Sequence, residues 1–471
     1  MTYSKRWGIL QIINMGTLMS TLDVGIVNIA MPTMADQFGR PLSQIQWVAT
    51  LYLLTMVTLL PFLGKFSDQW NRRRVYSWGF LLFSAGSLCI ALSDGLAEVL
   101  LSRVLQGVGA TMIMANSQAM VRQIFPDHER GRALGINAIV ISMGTLSGPA
   151  VGGFLLHYVT WPWLFAINVP IGLVAFGLGL RWFPDTESTG KKGSFDLPGS
   201  VLLGAGTCLL MLAAEGSQAS GWMSPVVIGE AAAGALLFVG LWLHERRIEN
   251  GILDRELFGN RAVLFGNAGS FLINLAQMAT IIPITFYLQG QLGLSVQSAG
   301  LLLILQPLLM GTIAPFAGWF RDRYGAFFPV MAGSICCAFS MLFVMLAPEA
   351  HVWIIGLQLA WFGVGMGLFH STNNAEIMSA APSSKSSLAG SMLALVRYLG
   401  QIAGIGLATL LVGTWGLTPS TGSGIDVPMR ILFGLCLISC IGVTLLTLSL
   451  KRGKRREPSR NLSPRDLGSG R

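Results

Sequence analysis

WGILQIINMGTLMSTLDVGIVNIAMP, residues 7–32, holds one charged side chain, Asp23. A helix rising about 1.5 Å per residue crosses the ~30 Å hydrocarbon core of a bilayer over such a stretch. It follows Met1–Arg6 directly, is too long for the core of a signal peptide and has no small-residue cleavage site, so it is expected to stay as a first membrane helix. Outward from it the same pattern repeats. Apolar windows fall near 46–64, 75–93, 96–121, 133–157, 162–182, 197–214, 225–243, 263–288, 299–318, 327–346, 353–375, 387–412 and 428–449, and a polar or glycine-rich break follows each. The expectation is an all-α integral membrane protein of fourteen transmembrane helices. Of the 471 residues 52% are hydrophobic and 11% charged, against roughly 25% charged in soluble domains; a soluble enzyme is excluded.

The net charge of +9 suggests nucleic acid only until its distribution is read. Lys and Arg gather in alternate loops: Lys65 and Arg72–Arg74, Arg122 to Arg132, Lys191 and Lys192, Arg246 and Arg247, Arg321 and Arg323, and the tail from Lys451. By the positive-inside rule both termini are cytoplasmic, in a cell (inner) membrane, with lipids as partners and no nucleic acid. All six cysteines lie in apolar windows without ligand-like spacing, so packing is expected and no metal. A weak repeat pairs Gly64-Lys-Phe-Ser-Asp68-Gln-Trp-Asn-Arg72 with Gly318-Trp-Phe-Arg-Asp322-Arg-Tyr-Gly325. Such repeats mark two packed halves with a site between them. The expected domains are a six-helix bundle over 1–182, a linker region over 183–262 with two extra helices, a second six-helix bundle over 263–450, and a disordered basic tail over 451–471.

Several motifs together resemble the major facilitator superfamily, specifically its fourteen-helix drug/proton antiporters, over essentially the whole chain. They are Leu22-Asp23-Val-Gly-Ile-Val-Asn28-Ile-Ala30-Met-Pro32, Arg103-Val-Leu-Gln106-Gly107-Val-Gly109, Gly144-Thr-Leu-Ser-Gly148-Pro149-Ala-Val-Gly152-Gly153 and Asn168-Val-Pro170-Ile-Gly172. The loop after the second helix departs from the family pattern, with Asn71 where glycine and Gln69 where a basic residue is usual. Asparagine tolerates the left-handed conformation, so the turn is expected to survive. The resemblance implies a non-enzymatic, proton-coupled antiporter that exports amphipathic small molecules (drugs, antiseptics, dyes, toxic metabolites) by alternating access. It implies the proton gradient as energy source, no cofactor, and function as a monomer.

Asp23 is the one carboxylate deep in a core helix, at ~24 Å along the first helix counted from Trp7 at 1.5 Å per residue. Arg103 falls at a matching depth on the fourth, and a buried charge needs a partner. The pair reads either as the proton-coupling site or as a static pin between two helices. By resemblance, Gly64, Asp68, Arg72, Gly318, Asp322 and Arg323 form gating loops; the plainer reading is solvated turns. Gly144, Gly148, Pro149, Gly152 and Gly153 form the exporter motif, whose small residues also suit close helix packing. Candidates for the substrate cavity are Asn28, Gln106, Asn274, Gln277, Gln306, His370 and Arg397. Asn267, Asn274, Gln277 and Gln306 could solvate Arg397, which has no deep acid nearby. Gly363-Val-Gly-Met-Gly367 imitates a nucleotide loop, but no strand precedes it and packing is expected. The alternative is a transporter of one metabolite or nutrient; an ATP-driven pump or intramembrane enzyme lacks its motif. With one deep acid, one proton per cycle is expected, and neutral, zwitterionic or monocationic substrates are favoured over dications.

Overall fold

The computed structural model describes residues 3–40, 42–184, 196–221, 223–248, 257, 259–346, 351–382, 386–415 and 427–456; the side chains of Asn28, Asp68, Pro149 and Asp322 lie outside the described part. The backbone is a bundle of membrane-length helices. These are α1 (Tyr3–Phe38), α2 (Trp47–Gln69), α3 (Arg72–Ala91), α4 (Leu96–Ile124), α5 (Asp127–Tyr158), α6 (Trp161–Ala166 continued by Asn168–Trp182), α7 (Leu197–Ser220) and α8 (Pro225–Glu245). The remainder are α9 (Arg261–Phe286), α10 (Val296–Leu303 continued by Leu305–Tyr324), α11 (Phe327–Leu346), α12 (Val352–Ala380), α13 (Ser386–Trp415) and α14 (Val427–Arg456). Among the described residues thirteen are long and apolar enough to cross a membrane; α5, of 32 residues, completes the fourteen. The chain is a multi-pass membrane protein.

Three boundaries differ from expectation. Helix α14 runs to Arg456, so residues 451–456, expected in the disordered tail, continue the last helix; 457–471 lie outside the described residues. Helix α9 holds Pro283 and ends in a π-helical turn, Tyr287–Gln291. Asn71 is not left-handed: at φ −85° it caps α3, accepting a hydrogen bond from the Arg74 N–H. Asparagine is among the best N-cap residues, and capping satisfies a backbone donor that a left-handed turn would leave free. In the second copy of the repeat Gly325 does turn left-handed, at φ +86°.

The helices pair in the same way twice. Helix α1 lies on α5, α3 on α4 and α6, and α2 on α4; likewise α9 lies on α13, α11 on α12 and α14, and α10 on α12. The equivalence advances by eight helices and leaves α7 and α8 over. They pack on each other, with α7 against α2 and α13. The halves touch along two seams, α2 with α13 and α5 with α10. Glycine permits the close pairs: a Cβ at Gly148 would stand 2.4 Å from Gly25 Cα, and one at Gly400 would stand 2.6 Å from the Phe271 carbonyl oxygen. Gly363 and Gly367 bring α12 onto α10 and Gly365 brings it onto α11, the packing role expected of that run.

Candidate functional site

Asp23 on α1 is 2% exposed and Arg103 on α4 fully buried, as their matching depths require. Arg103 Nη1 donates to Asp23 Oδ2 at 2.5 Å and to Gln106 Oε1 at 2.5 Å. Gln106 Nε2 in turn donates to Asp23 Oδ1 at 3.0 Å and to Ser87 Oγ at 2.8 Å. Gln106, expected in the substrate cavity, therefore belongs to the ion pair: three residues from Arg103, it lies on the same helix face. The guanidinium also faces Tyr52 and Phe165, with Cζ 5.2 and 4.9 Å from the ring centroids. Tyr52 is held by its hydroxyl donating to the Ser20 carbonyl at 2.8 Å. Two buried charges repay their desolvation only with such geometry, so the pair sits near balance, and neutralising either member upsets it.

A narrow polar cavity lies between the halves. Its N-terminal wall is Gln118 on α4 and Ile141 on α5; Ser270, Asn274 and Gln277 on α9, Met366, His370 and Asn374 on α12, and Leu393, Arg397 and Gln401 on α13 form the rest. The structure thus gathers Asn274, Gln277, His370 and Arg397 from the expected set. Gln306 is elsewhere: it donates to Met366 Sδ at 3.3 Å, beneath Gly363. The amides do not solvate Arg397 as anticipated. Asn274 Nδ2 donates to the Ser270 carbonyl at 2.7 Å and Asn267 Nδ2 to the Val263 carbonyl at 2.9 Å. Arg397 Nε and Nη2 are buried without a hydrogen-bond partner among the described residues. Its Cζ lies 4.8 Å from the Tyr398 ring. Tyr398, one residue on, belongs to the same buried cluster as Tyr52, which links the cavity wall to the surroundings of the ion pair.

The turns carrying Arg72–Arg74 and Arg321–Arg323 mark one end of the bundle, the basic face. There Arg122 Nη2 donates to the Met378 carbonyl at 2.7 Å, tying α4 to α12 across the halves. Gly64 adjoins Ser391 on α13, where a Cβ would meet Ser391 Oγ at 2.9 Å. Arg323 stacks over Trp319 and Tyr324, at 5.8 and 5.7 Å, while its neighbour Arg321 donates to Ser379 Oγ at 3.0 Å. Gly318 adjoins Ser371, and Arg72 opens α3. In α5, Gly144 faces Thr21, Gly148 faces Gly25 and Gly152 faces Ile29 of α1, with Gly153 also buried. The glycine motif is thus the contact surface of α5 on α1.

Sequence reasoning missed a clasp at the same end. Asp196 caps α7 through the Gly199 N–H at 2.9 Å and accepts from His244 Nε2, on α8, at 2.7 Å. Burial alone would raise the Asp196 carboxyl, but the hydrogen bonds from His244 and Gly199 outweigh it and hold its pKa below the ordinary aspartate value. Missed too was a buried network in which Asn137 Nδ2 donates to Asn14 Oδ1 and Thr17 Oγ1, both at 3.1 Å.

Two pseudo-equivalent six-helix halves with a polar cavity between them define a membrane transporter. The family model of the Major Facilitator Superfamily matches residues 13–405 and 267–467, and the chain belongs to that superfamily. It is 36% identical over 396 residues to "Riboflavin transporter RibZ" of Clostridioides difficile (strain 630), covering 84% of this chain and 86% of that one. It is 28% identical over 472 residues to "Putative multidrug resistance protein MdtD" of Serratia proteamaculans (strain 568), covering 100% and 98%. The fold is similar to that in the crystal structure of the human organic anion transporter MFSD10 (TETRAN), with a TM-score of 0.65, 15% identity, and 95% of this chain and 100% of that chain covered.

Proposed function

We propose that the protein is a proton-coupled antiporter that exports amphipathic small molecules by alternating access. The basic face is then cytoplasmic, as are both termini, in the inner membrane, and the chain works as a monomer without a cofactor. The observation that carries this reading is the buried Asp23, Arg103 and Gln106 cluster. It is a carboxylate placed where charge is costly, held by one cation and one amide, so gain of a proton removes the attraction that joins α1 to α4. In the coupling scheme Asp23 carries the proton and the glycine surface of α5 keeps the α1 contact tight while the halves rock. The contact of Arg122 with Met378 closes the basic face in one state. The name of the Serratia relative favours breadth of substrate.

A second reading, export of one metabolite, has its own support. The cavity is lined by amides that read a fixed hydrogen-bond pattern, and a relative at 36% identity is named for riboflavin. Transport by purified protein in proteoliposomes under an imposed pH gradient tests the proposal. Asp23→Asn should still bind substrate but lose uphill export; normal proton-dependent accumulation by well-folded Asp23→Asn would place coupling elsewhere.

A further inference from the structure

Two arginines lie between these helices, Arg103 fully buried and Arg397 partly exposed, and the chain treats them differently. Arg103 is matched by Asp23 at 2.5 Å. Arg397 has no carboxylate partner among the described residues: no aspartate or glutamate lines the cavity, and Nε and Nη2 are buried without a hydrogen-bond partner, as the same two atoms of Arg103 are. One turn along the helix, Gln401 also keeps a buried Oε1 without a partner, so the two are not satisfying each other. The adjacent Tyr398 ring holds the guanidinium by a cation–π contact at 4.8 Å, which orients the charge without neutralising it. The remaining polar lining consists of amides, a serine and His370, while Ile141, Met366 and Leu393 supply apolar wall.

A guanidinium with two buried, unpartnered N–H positions, oriented by an aromatic ring and without a carboxylate, in a site otherwise built for hydrogen bonding, is a receptor for an anion. Its N–H groups suit the oxygens of a carboxylate, a sulfonate or a phenolate, and charge-assisted bonds to a desolvated guanidinium are strong. We infer that the cavity selects amphipathic organic monoanions, binding their acidic group at Arg397 and their apolar body against Ile141, Met366 and Leu393. This rests on the reading that the cavity is the substrate site of the proposed exporter, and it replaces the neutral, zwitterionic or monocationic substrates expected from the acid count alone with monoanions. A cationic substrate would enter a cavity that already carries an uncompensated positive charge and offers it no acid.

The test is equilibrium binding to the full chain in nanodiscs, with no gradient, using three phenoxazine dyes of one shape: the resorufin anion, its neutral ethyl ether and a cationic aminophenoxazine. The anion should bind about tenfold or more tightly than the cation. Arg397→Gln should weaken the anion by about the same factor and the ether far less, whereas Arg397→Lys should recover part of the anion affinity. Gln277→Leu should weaken all three. Equal or tighter binding of the cation, equal weakening of all three dyes by Arg397→Gln, or no saturable binding of the anion would each overturn the inference. Anion binding that responds to Gln277→Leu but not to Arg397→Gln overturns the selectivity and leaves the cavity as the substrate site. Binding that responds to neither overturns both.

Discussion

Neutralising the Asp23 and Arg103 pair one residue at a time should cost far more than removing both charges together. Asp23 accepts two hydrogen bonds, from Arg103 at 2.5 Å and Gln106 at 3.0 Å, and neither charged side chain reaches solvent. With charge centres about 4 Å apart and an effective dielectric near 20, the attraction is about 4 kcal/mol. Breaking a buried pair from one side typically costs ~3–5 kcal/mol, because the survivor stays buried and uncompensated. Asp23→Asn leaves Arg103 with Gln106 Oε1 and two aromatic rings; Arg103→Gln leaves a carboxylate with one amide. Each single variant should lose roughly 3–5 kcal/mol, and the double variant Asp23→Asn/Arg103→Gln no more than about 2, a coupling of at least about 4 kcal/mol. Reversible unfolding in mixed micelles over a denaturant series measures all four corners of the cycle. A double variant as unstable as the sum of the singles would show that the two charges do not hold each other, and the pin between α1 and α4 would have to be sought in the glycine surface.

Gly148→Ala should destabilise by ~1–3 kcal/mol, since its Cβ would stand 2.4 Å from Gly25 Cα, whereas Gly229→Ala, with nothing within 4 Å, should be neutral in the same denaturant-unfolding assay. Asp196 has a folded pKa below its ordinary value, so its contribution is present above about pH 4 and is lost as the pH falls through the folded pKa. Asp196→Asn should therefore cost roughly 1 kcal/mol near neutral pH, with the difference from the parent shrinking below about pH 4. If a monoanion leaves as one proton enters, two elementary charges move the same way, so an interior-negative potential should drive export by about 4.6 kcal/mol per 100 mV. Proteoliposomes given a potassium diffusion potential measure this, and insensitivity to voltage would exclude that stoichiometry.

Much of the frame is legible because the bilayer forces it: window length fixes the helices, and counting residues from the helix ends put Asp23 beside Arg103. What counting along one helix can add is also clear. Ser270, Asn374 and Gln401 line the cavity one helical turn from Asn274, His370 and Arg397 respectively, so the spacing of four residues was available as a signal. The same rule, at a spacing of three, would have assigned Gln106 to Arg103. Rotation about the helix axis was the weak point elsewhere, since Gln306 donates to the cavity-lining Met366 and does not itself line the cavity. The Asp196 and His244 clasp spans 48 positions between two separate helices, and no periodicity within either one points to it.

The pair α7 and α8 breaks the equivalence of the two seams. One seam, α2 with α13, has α7 laid over it, while α5 meets α10 with Met143 partly exposed against Gly311. The transporter therefore has a sheathed flank and a bare one. An amphipath dissolved among the acyl chains meets the contact between the halves directly only on the bare flank, so the bilayer is not an isotropic reservoir for this protein: it has a single shore.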